Sequence, residues 1–456
     1  MLIFMVKGSM QKRRDLTEGN ILKNIWYLAL PTMATSALWD LFNIVDMIFV
    51  GKLGPSAIAA VSMCGMMMGI IFTVAIGITT GTIALVSRFF GAKDFKTADK
   101  VVVQTIFLAI IASVIIGIGG YFLAEPIMRL LGAEGEVVDL GSLYFKIISA
   151  CSFTIFLTFS LTSTLRGAGD AVTPMKVLIF TTLLNIILDP LLIFGIWIFP
   201  KMGVAGSALA TVIARGVGML LLINIFFKGH SYFHLKPKDF RLDFRIMRRI
   251  IRIGFFGSLQ VFMRNISMLV LLKIVASYGT FTIAAYGICM RLRLATMMPG
   301  FGLSQASAVL VGQNLGAKKP GRAAKSAWIT VGLYELLMGL FAVLILIFAP
   351  SIIKVFNTNP EVVRIGIQFI RILSLTLVFI ALSLVIGRAF NGAGDTLSPM
   401  IITGFSLLLF RIPVTILLAK MMGMIGIWFG ITLSDIVQGG IMSGWFLKGK
   451  WKEKKI

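Results

Sequence analysis

The sequence predicts an all-α membrane protein of 12 transmembrane helices, arranged as two homologous six-helix bundles. Three observations carry this. The chain of 456 residues is 58% hydrophobic and only 14% charged, against about 25% charged in ordinary soluble domains. Apolar stretches near the ~20 residues needed to cross a bilayer recur from end to end. Several segments of the first half return in the second at one fixed displacement.

The expected spans run at 22–50, 57–83, 98–123, 140–164, 172–198, 203–227, 247–276, 282–307, 323–348, 362–388, 397–419 and 423–447. An even number places both ends of the chain on one side. The formal charge of +24 would suggest nucleic acid in a soluble protein, but here most cations sit between apolar runs, where they orient the chain in the bilayer. No nucleic-acid partner is expected. Lys12, Arg13, Arg14 and Lys23 precede or open the first span, and Lys448, Lys450, Lys452, Lys454 and Lys455 follow the last. Lys228, Lys236, Lys238, Arg241, Arg245, Arg248, Arg249 and Arg252 cluster around the middle of the chain. The loop at 123–140 instead holds Glu125, Glu134, Glu136 and Asp139. By the positive-inside rule both termini and the central loop are cytoplasmic, in the inner (plasma) membrane. The expected division is a tail at 1–21, a bundle at 22–227, a basic linker at 228–246, a second bundle at 247–447 and a basic tail at 448–456. The opening "MLIFMVKGSMQKRRD" is too short in apolar content for a secretory signal, and Met10 offers a second start.

Cys64, Cys151 and Cys289 fall inside apolar segments and read as small buried hydrophobes; His230 and His234 lie in the basic loop. Neither disulfide nor metal-ligand spacing is present.

"GKLGPSAIAAV" at 51–61 matches "ASYGTFTIAAY" at 276–286, "GAKDFKTADK" at 91–100 matches "GAKKPGRAAK" at 316–325, and "RGAGDAVTPM" at 166–175 matches "NGAGDTLSPM" at 391–400. Each pair is displaced by 225 residues. Six spans per repeat give both repeats the same orientation, related by an axis along the membrane normal. Such architectures bind substrate between bundles and alternate access. Gly167, Gly169 and Pro174, with Gly392, Gly394 and Pro399, read as tight turns. No P-loop lysine and serine follow, so ATP-driven transport has no support.

Few acids lie well inside spans: Asp40, Asp46, Asp189, Glu335 and Asp435. Inserting an aspartate at a helix centre costs about 2.5–3.5 kcal/mol, so each is a functional suspect. The repeat narrows the choice. Asp46 maps onto Leu271, and Asp189 onto or near Val414. A carboxylate required by the architecture alone should occur twice; these occur once. Asp46 lies a little over one turn from the outer end of its span, and Asp189 lies about 22 Å along the fifth. Asn185 shares a helix face with Asp189, and Pro190 frees the carbonyl of Ile186. Asp46, Asn185 and Asp189 thus form a candidate pocket for coupling to a proton or a small cation such as Na⁺, because two carboxylates buried together disfavour double ionisation. Asn43, Tyr144, Ser207 and Thr211 are candidates to complete it. Asp40, Met66, Gln260 and Arg291 are candidates for a substrate cavity, while Arg264, Arg293 and Asn265 add polarity to the second half.

The combination of "LPTMATSALWDLFNIVDMIFVGKLG" at 30–54, "RGAGDAVTP" at 166–174, "LNIILDPLLIF" at 184–194, "GVAGSALAT" at 203–211 and "LVGQNLGA" at 310–317 resembles the multidrug and toxic compound extrusion (MATE) family, and within it the DinF-like prokaryotic branch. The resemblance covers nearly the whole chain. It implies two six-helix bundles facing a central cavity, and export of cationic or amphipathic compounds against inward H⁺ or Na⁺, with no further cofactor. It also implies a protein acting as a monomer in the lipid bilayer. The branch places its coupling residues at Asp46, Asn185 and Asp189, with Pro31 as the bend of the first helix and Tyr144 nearby. The branch often has tyrosine where Phe42 stands, so one polar contact is absent. The alternative is a flippase for lipid-linked precursors of the same superfamily, which would line its cavity with cations such as Arg264, Arg291 and Arg293. No paired catalytic motif on a loop supports an enzyme.

Overall fold

The computed structural model describes residues 14–227, 232, 233, 235, 239–454 and 456. Met10, Lys12, Arg13, Lys228, His230, His234, Lys236, Lys238 and Lys455 lie outside the described residues. Among the described residues every regular element is a helix. Ten helices are long and apolar enough to span a bilayer, and two bent pairs complete 12.

The first six spans are Ile21–Gly51, Pro55–Gly91, Phe95–Leu130, the pair Glu136–Ala150 and Ser152–Ala168, Val172–Phe194 and Gly203–Phe227. The second six are Phe244–Ala276, Thr280–Gly316, Pro320–Phe356, the pair Pro360–Ser374 and Leu377–Gly392, Leu397–Met422 and Met424–Leu447. Spans four and ten, expected as single helices, are bent by 50° and 53°. Spans two and eight run well past the apolar windows that foretold them. Loss of hydrophobicity does not end a helix; a backbone stop does. Here the stops are Lys93 and Lys318, with φ of 60° and 58°.

The repeat is visible in detail. Gly54 and Gly279, with φ of 115° and 95°, precede spans two and eight. The Cys64 thiol donates to the Gly141 carbonyl at 3.1 Å, and the Cys289 thiol to the Gly366 carbonyl at 3.4 Å. The Gly-Ala-Gly-Asp motifs are turns. Gly169 and Gly394 have φ of 98° and 82°. Asp170 accepts from the backbone N–H groups of Val172 and Thr173, opening span five, and Asp395 accepts from the Ser398 hydroxyl.

One element breaks the symmetry. Span eleven contains a π-helical turn, Phe405–Phe410, where span five is α-helical throughout. The Ser267 hydroxyl on span seven donates to the Leu407 carbonyl within it at 2.9 Å. A π turn inserts one residue. Beyond it, within span eleven, the displacement from span five grows by one. A Cβ at Gly206 would collide with the carbonyl of Leu192, and one at Gly426 with the carbonyl of Leu418; these two carbonyls are one residue further apart than the 225-residue offset. The counterpart of Asp189 is therefore Thr415 rather than Val414, and that of Asn185 is Arg411.

The chain forms two compact units, and their borders differ from the expected ones. One comprises Ala34–Gly254; the other joins Leu16–Met33 to Phe255–Ile456. The leading part of span seven belongs with the first unit because glycines allow backbone contact: a Cβ at Gly254 would strike the Gly77 carbonyl, and one at Gly81 the Ile250 carbonyl. The leading part of span one belongs with the second unit for the same reason, since a Cβ at Gly302 would crowd Ala29 O and Met33 N. The border in span one falls two residues after Pro31.

Candidate coupling site in the first bundle

The site is built from three spans of the first unit. Asp46 lies on span one, Asn185 and Asp189 on span five, and Ser207 and Thr211 on span six. All five are buried. The Ser207 hydroxyl donates to Asp46 Oδ1 at 2.5 Å. Asn185 Nδ2 donates to Asp189 Oδ1 at 3.0 Å, across one helical turn. Gly206 makes this possible: having no side chain, it lets span six close on the backbone of Leu192 and Ile193 and carries its neighbour Ser207 with it. Asp46 and Asp189 lie within electrostatic range of each other, and Tyr144 is within range of both.

Asp189 Oδ2, Asn185 Oδ1 and Thr211 Oγ1 are buried without a hydrogen-bond partner among the described residues. Buried polar atoms are usually paired, because an unmet acceptor costs about 1–3 kcal/mol. These are all oxygens, and one belongs to a carboxylate. A proton satisfies such a set, as does a small hard cation. The donors are oxygens of carboxylate, amide and hydroxyl groups, hard ligands of the kind that suit hard cations rather than soft metals.

Other sequence candidates are placed differently. Asn43 was expected on the face of Asp46, but it is exposed and its amide donates to its own helix, at Trp39 O, 2.8 Å away. The three-residue step carries it off the buried face. Asp40 is half-buried and makes no ion pair or hydrogen bond among the described residues. Met66 is 70% exposed. Gln260 and Gln438 both donate to the Thr403 hydroxyl, a polar knot inside the second unit. Arg291 is exposed and does not line the cavity of the second unit; Arg293, two residues on and across the helix, does. Phe42, in place of a tyrosine, stacks with Trp39 at 6.3 Å.

Two functional candidates were absent from the sequence reading. Arg215 on span six lies over the rings of Trp39 and Phe42, 5.3 and 5.6 Å from their centroids, within electrostatic range of Asp46 and Tyr144. Arg411 on span eleven pairs with Asp435 at 2.7 Å. Both were findable. A basic residue inside an apolar run, as in "TVIARGVG" or "LLLFRIPV", is as suspect as an acid there.

A duplicated twelve-span protein with oxygen-rich polar groups buried inside one bundle is, by architecture, a secondary transporter. Comparison with known proteins agrees. The family model MatE matches residues 31–191 and 258–417, and the chain belongs to this family of transporters. It is similar to the probable multidrug resistance protein NorM of Thermotoga maritima, with 30% identity over 96% of this chain and 94% of that one. It is similar to the multidrug export protein MepA of Staphylococcus haemolyticus, with 26% identity over 92% of each. A solved outward-facing multidrug resistance MATE transporter of the MOP superfamily superposes with a TM-score of 0.89, at 26% identity, over 98% of this chain and 100% of that one.

Proposed function

We propose that the protein exports cationic or amphipathic small molecules from the cell in exchange for H⁺ or Na⁺, by alternating access, with Asp46, Asn185 and Asp189 as the coupling site. The observation that carries the coupling site is the set of unpaired buried oxygens beside two carboxylates in one bundle. Ser207 holds Asp46 in place, and Asn185 orients Asp189. Tyr144 and Thr211 border the pocket. Occupancy shifts the transporter between states only through a difference in affinity for them, and the border between units two residues beyond Pro31 supports a bend there. Relatives named for multidrug resistance and export support the efflux reading over the flippase alternative. The acids of the first bundle support the DinF-like branch.

The driving force is sufficient. One charge moved through 100 mV yields about 2.3 kcal/mol, and one pH unit about 1.4 kcal/mol per proton. The test is fluorescent-dye export from proteoliposomes under an imposed pH gradient or an imposed Na⁺ gradient, applied separately. Export driven by one of them is expected, and it names the ion. Export driven by neither removes the coupling proposal.

We further propose that both termini face the cytoplasm, a reading the charge asymmetry supports. With Cys64, Cys151 and Cys289 replaced by alanine, an impermeant thiol reagent added outside cells should label Glu136→Cys and spare Lys452→Cys. The reverse pattern inverts the topology.

A further inference from the structure

The second unit contains a cavity of about 180 Å³ whose charge is opposite to that of the coupling site. Arg264 on span seven, Arg293 on span eight and Arg411 on span eleven reach its wall, and Asp435 on span twelve is its one acid. Asp435 is ion-paired twice: Arg411 donates to Oδ1 at 2.7 Å and Arg293 lies 2.8 Å from Oδ2. The Ser434 hydroxyl accepts from Arg411 Nε. Three guanidinium groups against one carboxylate leave two formal positive charges. Arg264 has no ion pair among the described residues, and the charges in its range besides Asp435 are the cations Arg388, Arg293 and Arg411. Arg264 is exposed, so its guanidinium is open to a ligand, and a cluster of cations around one acid attracts an anion.

We propose that this cavity binds the oxyanion head, carboxylate or phosphate, of an amphipathic organic anion. The guanidinium fork matches a two-oxygen head by paired N–H donors, and Arg264 is the free fork. Apart from Tyr286, Ser383 and Gln438, the rest of the wall is apolar and adaptable. Met290, Leu294, Met297 and Phe301 line it, and methionine accommodates varied shapes. The volume suits a head group and the start of its apolar body rather than a whole drug-sized molecule. Leu271, the counterpart of Asp46, lies on the same wall. The place that carries a carboxylate in the first bundle thus faces cations in the second. The inference rests on the export reading for the role of this anion as cargo, and it widens the substrate class to compounds bearing a negative group.

The test uses purified protein in phosphatidylcholine nanodiscs and two probes sharing one fluorophore, dansylglycine with a carboxylate and dansylcadaverine with an ammonium group. Wild type is expected to bind dansylglycine at least about tenfold more tightly than Arg264→Gln does, while dansylcadaverine binding is equal in both. Arg264→Gln leaves both ion pairs of Asp435 untouched, so folding is not at stake, and Arg264→Lys should recover part of the loss. Adding phosphatidylglycerol to the nanodisc, or free octanoate to the buffer, separates a lipid head from a soluble anion by which displaces the probe; displacement by either supports the site. Equal dansylglycine affinity in wild type and Arg264→Gln overturns it. No dansylglycine binding to wild type, with cationic-dye export still gradient-driven, overturns this site alone. Arginine-dependent dansylglycine binding without export of any dye overturns the export reading and leaves the site standing.

Discussion

The two bundles share a backbone plan and oppose each other in charge. In the first, Asp46 and Asp189 meet neutral oxygen and amide donors, with Arg215 near the rim of the site. In the second, the matching positions are Leu271 and Thr415, and Asn185 is answered by Arg411. The close glycines Gly206 and Gly426 align span six with span twelve, and on that register Arg215 is answered by Asp435. The first bundle's acids are answered by uncharged residues, while a base faces a neutral amide at Arg411 and an acid faces a base at Asp435. Duplication supplied one scaffold twice. On the roles proposed for them, the different side chains let one copy take up a cation while the other stabilises negative charge. The acid at Asp189 meets an amide and leaves Oδ2 without a hydrogen bond; the second bundle's Asp435 is ion-paired by two arginines. An open donor set is suited to exchange, and a closed ion-pair network to structure.

That contrast can be broken by substitution. The largest effect is expected at Asp46 and Asp189. Asp46→Asn and Asp189→Asn should each insert and fold, yet lose gradient-driven export by about 100-fold or more, since asparagine neither exchanges a proton nor carries charge toward a cation. Asn185→Ala, which removes a neutral ligand, should cost less. Wild-type export by both aspartate variants at matched protein levels would place the coupling elsewhere.

Next is Asp435→Ala. It strands Arg293 and Arg411, whose side chains are only 14% and 9% exposed, and breaking a buried pair from one side typically costs about 3–5 kcal/mol. Thermal unfolding in detergent should shift down strongly. An unchanged melting point would mean that the network is relieved by water and is not structural.

The smallest effects test the counterparts. Leu271→Ala should lower stability by about 2–3 kcal/mol as a buried apolar truncation, with the ratio of export to ion gradient unaltered. Thr415→Val should be close to neutral, because the buried Thr415 hydroxyl has no partner among the described residues. Loss of coupling in Leu271→Ala, with expression and substrate binding intact, would defeat the idea of coupling through one bundle.

Much of this was legible in the chain itself. Twelve spans, the duplication and the acids at 46 and 189 follow from hydropathy, a constant offset and the cost of an ion in hydrocarbon. Arg215 and Arg411 are equally visible as charges within apolar runs. Asn43 misled because a shared helix face is a matter of azimuth, and three residues turn the side chain by about 300°, enough here to leave the buried side.

Other features could not be read without the fold. The π turn at Phe405–Phe410 has no sequence signature. It exists because the hydrogen bond from Ser267 and the packing of neighbouring spans hold a carbonyl out of α register, and it alone moves the counterpart of Asp189 to Thr415 and that of Asn185 to Arg411. The bends of spans four and ten and the exchange of leading half-helices between units likewise depend on which backbones touch. Sequence determined how many times the chain crosses the membrane and which ionisable groups it carries in, because hydrophobicity and charge are properties of single residues. Tertiary structure decided which of those groups meet and which are left open, because partnership depends on distances between spans that no local pattern encodes.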